Sequence, residues 1–136
     1  MIPTLDTIAD LFQARGSPLT AQRRAVLRYL QGNTQHPSAA QIFEAVTRDF
    51  PVASRATIYN TLSFLEELGV LRTVQGADGH LRYDPNIAPH HHLLCPKCGQ
   101  MEDIPAGDVT LLLRGQQVVG TVRFEAVCSD CVQKAA

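Results

Sequence analysis

The chain has 136 residues, 45% hydrophobic and 18% charged, with a formal net charge of −1. That is room for one ordinary domain or two small ones, with no polar tract of the kind that stays disordered. The opening MIPTLDTIADLF lacks a basic region and a long apolar run, and no stretch approaches the roughly 20 apolar residues of a membrane span. A cytoplasmic protein with no membrane partner is expected. Near-neutral charge does not exclude DNA, because a local basic face matters more than the sum.

The first 84 residues read as helices followed by a hairpin. Leu5, Ile8, Ala9 and Phe12 carry a helical period that ends near Gly16. Thr20 is placed to cap Ala21 to Leu30, with Val26, Leu27 and Leu30 apolar and Gly32 closing the helix. Ser38 with Gln41 has capping-box form and opens a helix through Ile42, Phe43 and Val46 toward Pro51. Ser54 caps a fourth helix, RATIYNTLSFLEEL, stopped by Gly69, whose apolar row is Ile58, Leu62, Leu65 and Leu68. The period then changes to two, and VLRTV–QGADG–HLRYD reads as two strands around a glycine turn. Helices followed by a hairpin are the layout of a winged helix, in which the helix before the hairpin enters the major groove.

Arg55, Thr57, Tyr59, Asn60 and Ser63 point away from that apolar row. They offer a cation, hydroxyls, an amide and a phenol, all able to reach phosphates or base edges. Arg15, Arg23, Arg24 and Arg28 are further phosphate candidates. A merely solvated polar face would look similar on pattern alone.

The remaining residues carry metal chemistry. Cys95-Pro-Lys-Cys98 and Cys128-Ser-Asp-Cys131 are two C-x-x-C pairs separated by 29 residues. Each pair presents two thiolates from one turn, and two turns complete the tetrahedron that structural zinc prefers. A redox motif would need only one pair. Just before them lies HHHLLCPKCG. If residues 90–95 form a strand, alternation puts His90 and His92 on one face and His91 and Cys95 on the other, so two metal sites are expected. A hairpin through the C-P-K-C-G turn with Cys95 opposite Gln100 sets His92 opposite Asp103. Two imidazoles and a carboxylate suit iron(II), manganese(II), cobalt or zinc, although histidines on a strand can also be idle. His80 and His91 are read as ordinary polar residues.

The chain resembles the ferric uptake regulator family of metal-dependent repressors. The matching pieces are HPSAAQIFEAV, SRATIYNTLSFLEELGVL, RYD, HHHLLCPKCG and CSDC, which with Leu19-Thr-Ala-Gln-Arg lie in family order along a span from Leu19 to Cys131 that takes in more than four fifths of the chain. The resemblance implies an α+β protein: a winged-helix DNA-binding domain over 1–84, a hinge at 85–89, and an α/β dimerisation domain over 90–136 that carries the four-cysteine zinc site. It implies a homodimer bound to double-stranded operator DNA, and no enzyme. It also implies a regulatory iron(II) or manganese(II) site made by His36, Asp84, His90, His92 and Asp103, spanning the hinge. With aspartate at both carboxylate positions, the site is most similar to the peroxide-sensing branch, where bound iron oxidises a histidine ligand; His36 and His90 are the candidates. The alternative is an iron- or manganese-responsive repressor of metal homeostasis genes.

The segment QQVVGTVRFEAV departs from many relatives in having no histidine before the last C-x-x-C. No complete auxiliary site is expected, and Val118, Val122, Phe124 and Ala126 read as a sheet face or dimer seam. A metalloenzyme would need a general base beside the histidines, and Glu102 points the other way. A plain zinc-ribbon module would leave the winged helix idle.

Overall fold

The computed structural model describes residues 4–118 and 120–135. It resolves into two compact units: one runs to Val74 and includes Leu81–Ile87, and the other comprises Gln75–His80 and the chain from Ala88 onward. Among the described residues no helix is long and apolar enough to cross a membrane.

The first unit holds four helices, α1 (Leu5–Ala14), α2 (Ala21–Leu30), α3 (Ala39–Asp49) and α4 (Arg55–Glu67), followed by strands β1 (Arg72–Gln75) and β2 (Leu81–Asp84). Each helix starts where a hydroxyl side chain satisfies an otherwise orphaned backbone N–H. Thr4, Thr20, Ser38 and Ser54 accept from the N–H groups of Thr7, Arg23, Gln41 and Thr57 respectively. At Ser38 the capping box is complete, since Gln41 Oε1 accepts from the Ser38 N–H at 2.9 Å. Gly32 and Gly69, at φ +68° and +74°, supply the left-handed turns after α2 and α4 that a side chain would disfavour.

The apolar rows of these helices meet in one core. Ile8, Phe12, Val26, Leu27, Leu30, Ile42, Ile58, Leu62 and Leu65 are fully buried there. Leu68, the last member of the expected α4 row, packs against that core only partly buried. Burial of each large side chain contributes about 1.5–3 kcal/mol. Arg23, a phosphate candidate in the sequence, also braces the α1–α2 loop. Its guanidinium donates to Ser17 Oγ at 2.8 Å and the Pro18 carbonyl at 2.6 Å, and it lies 5.7 Å from the Phe12 ring centre.

The second unit is built on strands β3 (His90–Leu94), β4 (Met101–Pro105) and β5 (Arg123–Glu125), with a 3-10 turn at Ala106–Asp108 and a short final helix α5 (Ser129–Ala135). The sheet order is β4-β3-β5. β3 and β4 are antiparallel, with His92 opposite Asp103, and the Cys95 N–H donates to the Gln100 carbonyl at 3.0 Å, as the turn reading required. β5 lies parallel to β3, with Phe124 opposite Leu93. Among the described residues, the expected alternation from Val118 to Ala126 includes three residues of strand, Arg123–Glu125; Phe124 is half-buried and Ala126 exposed.

Candidate metal centres and the exposed face of the fourth helix

The four cysteines of the second unit converge. Their sulfurs all lie within 4.8 Å of one another, with Cys98 and Cys128 Sγ atoms 3.8 Å apart. Zn–S bonds of about 2.3 Å in a tetrahedron would put neighbouring sulfurs about 3.8 Å apart. The donor set therefore fits zinc in both chemistry and spacing. Cys95 is buried, and N–H donation from Cys128 and then Cys98 lowers its thiol to about 6. Cys131 moves the other way, pushed up to about 12 by its hydrogen bond to Cys128 and by burial. Four thiols crowded together thus hold one ready thiolate and one that resists ionisation until a cation arrives.

On the opposite side of β3, His90 and His92 point the same way, as strand alternation demands. Their Nε2 atoms are 3.1 Å apart, and each faces Asp103 Oδ1, at 3.5 Å from His90 and 3.4 Å from His92. Metal–ligand bonds of about 2.1 Å give ligand separations of about 3.0 Å in an octahedron and 3.4 Å in a tetrahedron. All three separations lie near that range. Two histidines and one carboxylate are also a donor set suited to iron(II). His90 Nδ1 lies 2.6 Å from the Ala88 carbonyl. A carbonyl only accepts, so the proton sits on Nδ1 and the Nε2 lone pair is turned toward Asp103 and His92. This backbone lock has no signature in the sequence. His91 faces away, and its Nδ1 accepts from the Val122 N–H at 2.9 Å while its ring meets Phe124 edge-on. It is a structural histidine that ties the segment before β5 to β3.

The first unit carries a buried pair, His36 and Asp84. His36 Nε2 is 3.6 Å from Asp84 Oδ2, with the two side chains 1% and 4% exposed. Backbone pairing sets their proximity. The Tyr83 N–H donates to the Pro37 carbonyl at 2.8 Å, and Ser38 bridges Arg82 in antiparallel fashion, so β2 runs beside the segment that carries His36. Asp84 Oδ1 accepts from the Asn86 N–H at 2.9 Å, which orients the other oxygen toward the imidazole. His36 itself has φ +52°, a left-handed conformation costing roughly 1–2 kcal/mol for a non-glycine residue. Such strain is held by its surroundings and is commonest at functional sites.

On α4, the five side chains expected to face outward do so. Arg55, Asn60 and Ser63 are exposed, and Thr57 and Tyr59 are half-buried. Thr57 also completes the N-terminal cap, accepting from Ser54 Oγ at 2.7 Å.

Residues 14–128 match the profile of the Ferric uptake regulator family. The chain is 41% identical over 136 residues to a peroxide-responsive repressor PerR of Staphylococcus aureus (strain USA300), covering 95% of this chain and 91% of that one. Its fold is similar to that of the Helicobacter pylori ferric uptake regulator Fur, with a TM-score of 0.76 at 19% identity over 96% of this chain and 95% of that one. It is also similar in fold to a Campylobacter jejuni peroxide stress regulator, with a TM-score of 0.67 at 24% identity over 95% and 100% of the two chains. With 115 consecutive residues in the family match (14 to 128 inclusive), the chain belongs to the ferric uptake regulator family.

Proposed function

We propose that the protein is a cytoplasmic repressor that binds double-stranded operator DNA as a homodimer, and that a regulatory ion switches this binding. The observation that carries the reading is the His90–His92–Asp103 face, where two imidazole nitrogens and a carboxylate oxygen meet at 3.1–3.5 Å. Two nitrogens facing one carboxylate at this range are arranged for a cation. We assign His36 and Asp84 as the further donors to that ion, because both are buried and His36 is held in a strained conformation.

In this reading the domains are 1–84 and 90–136, with residues 85–89 as the hinge. Donors contributed by both domains are satisfied together in one relative orientation, so ion binding selects that orientation. In a dimer the orientation sets the spacing of the two α4 helices, which must reach successive major-groove faces about 34 Å apart. The four-cysteine zinc supplies folding energy to the second domain and takes no part in signalling.

The peroxide-responsive relative and the paired aspartates extend the reading to peroxide sensing. Iron(II), when bound, supplies one-electron chemistry toward hydrogen peroxide that oxidises a coordinated imidazole. His36 and His90 are the residues we assign to that fate. Oxidising either ring removes a nitrogen donor, so the donor set falls below what holds the orientation. Manganese(II) in the same donors would repress without that loss.

Operator binding tests the DNA half of the reading. Arg55→Ala and Tyr59→Ala should each weaken it by about 1–3 kcal/mol, roughly 5- to 150-fold, with metal content and dimerisation unchanged. Wild-type affinity in both variants would place the DNA contact elsewhere.

A further inference from the structure

Arg55 does not extend freely into solvent. Its guanidinium carbon lies 4.2 Å from the centre of the Phe43 ring on α3, and its Nη1 donates to the Tyr59 hydroxyl at 3.3 Å. Among the described residues Arg55 has no ion-pair partner. The guanidinium carbon therefore sits over an aromatic ring and Nη1 is used, which among the described residues leaves Nη2 and Nε open to another acceptor. Phe43 is half-buried and packs against the core.

An unrestrained arginine loses rotamer freedom whenever its fork is fixed on an acceptor. Here the Phe43 ring beneath the guanidinium carbon and the Tyr59 hydroxyl on Nη1 restrain the side chain in the free protein without occupying Nη2 or Nε. We infer that Phe43 is a positioning residue for operator recognition, holding Arg55 so that its Nη2 and Nε meet a two-point acceptor on DNA. The inference rests on the reading of α4 as the recognition helix. A guanine edge and a phosphate share that two-point chemistry. The salt dependence of Arg55→Ala separates them, because loss of a phosphate contact lowers the salt slope by about one.

The test is a double-mutant cycle on operator affinity, measured by fluorescence anisotropy with manganese-loaded full-length protein. Phe43→Leu keeps an apolar side chain but removes the ring face, and should weaken binding about three- to tenfold. Phe43→Tyr keeps the face and should bind within about twofold of wild type. In an Arg55→Ala background Phe43→Leu should cost less than about twofold more, because the group it positions is gone. Arg55→Lys, with the charge but no planar fork, should resemble Phe43→Leu. If Phe43→Leu lowers the melting temperature too far for binding to be read, Phe43→Met supplies the same comparison. Wild-type affinity in Phe43→Leu, or an equal loss in both backgrounds, would overturn the inference and leave Phe43 a packing residue. If Arg55→Ala itself leaves affinity unchanged, Arg55 does not touch the operator and the positioning role fails; the assignment of α4 fails with it only if Tyr59→Ala is unchanged too.

Discussion

Cys128→Ser is expected to lose tightly bound zinc and the folded second unit together. That unit has little else to hold it. Among the described residues its buried apolar side chains are Leu94, Cys95 and Met101, whereas the fourteen-residue buried cluster of the core lies wholly in the first unit. Structural zinc in small domains contributes about 10–16 kcal/mol of apparent binding energy, comparable to the whole stability of an ordinary domain at about 5–15 kcal/mol. Removing one of four thiolates that sit within 4.8 Å of one another leaves an incomplete tetrahedron and no core to compensate. The helical signal of the first unit should survive, because its core is its own. Zinc analysis with far-ultraviolet circular dichroism and light scattering reads all three. A serine variant that stays a folded dimer without zinc would show that the cysteine cluster is not structural.

His92→Ala should do the opposite: it should abolish metal-dependent operator binding and leave the zinc in place. His92 and Cys95 lie on opposite faces of β3, so the loss of one imidazole does not reach the sulfurs. Disturbing an outer-shell partner of a metal ligand already costs about 10–100-fold in affinity, so deletion of a ligand itself should cost at least about 100-fold. Asp103→Glu is the finer probe. It keeps the charge and the oxygen donor but moves the oxygen by roughly an ångström relative to His90 and His92. Metal-activated DNA binding should persist in that variant while much of the peroxide response is lost. Equal peroxide sensitivity in Asp103→Glu and wild type would mean that carboxylate geometry does not govern the reaction.

Much of the first unit was legible because its signals are local. A hydroxyl residue before the apolar rows of α2, α3 and α4, and glycine after α2 and α4, fix helix ends within a few residues of sequence, whereas the Thr4 cap of α1 was not read. Ser38 with Gln41 is the clearest case, since both halves of its capping box form. The β3–β4 register was also legible, because the C-P-K-C-G turn is short and any slip would move every side chain to the other face. From it followed His92 opposite Asp103.

What stayed hidden depends on distant or backbone partners. β5 pairs in parallel with β3 although the two are distant in sequence, and among the described residues three of those read as an alternating face pair as strand. The Ala88 carbonyl that fixes the His90 tautomer has no side-chain signature. His36 was picked out by resemblance, but nothing in Gln35-His36-Pro37 announces φ +52°. Arg23 and Arg55 look alike as exposed cations in sequence. Packing separates them, the first bracing the α1–α2 loop through Nη1 and the second lying over the Phe43 ring.

The most direct test of peroxide sensing is operator affinity of the iron(II) form before and after hydrogen peroxide, with mass spectrometry of the peptides that contain His36 and His90. The manganese(II) form serves as the unreactive control. Affinity should fall in the iron form alone, accompanied by a mass gain of one oxygen on His36 or His90, with the four cysteines still holding zinc. Undiminished affinity and intact histidines in the iron form would contradict it, and the protein would then be a repressor that answers to the level of iron or manganese.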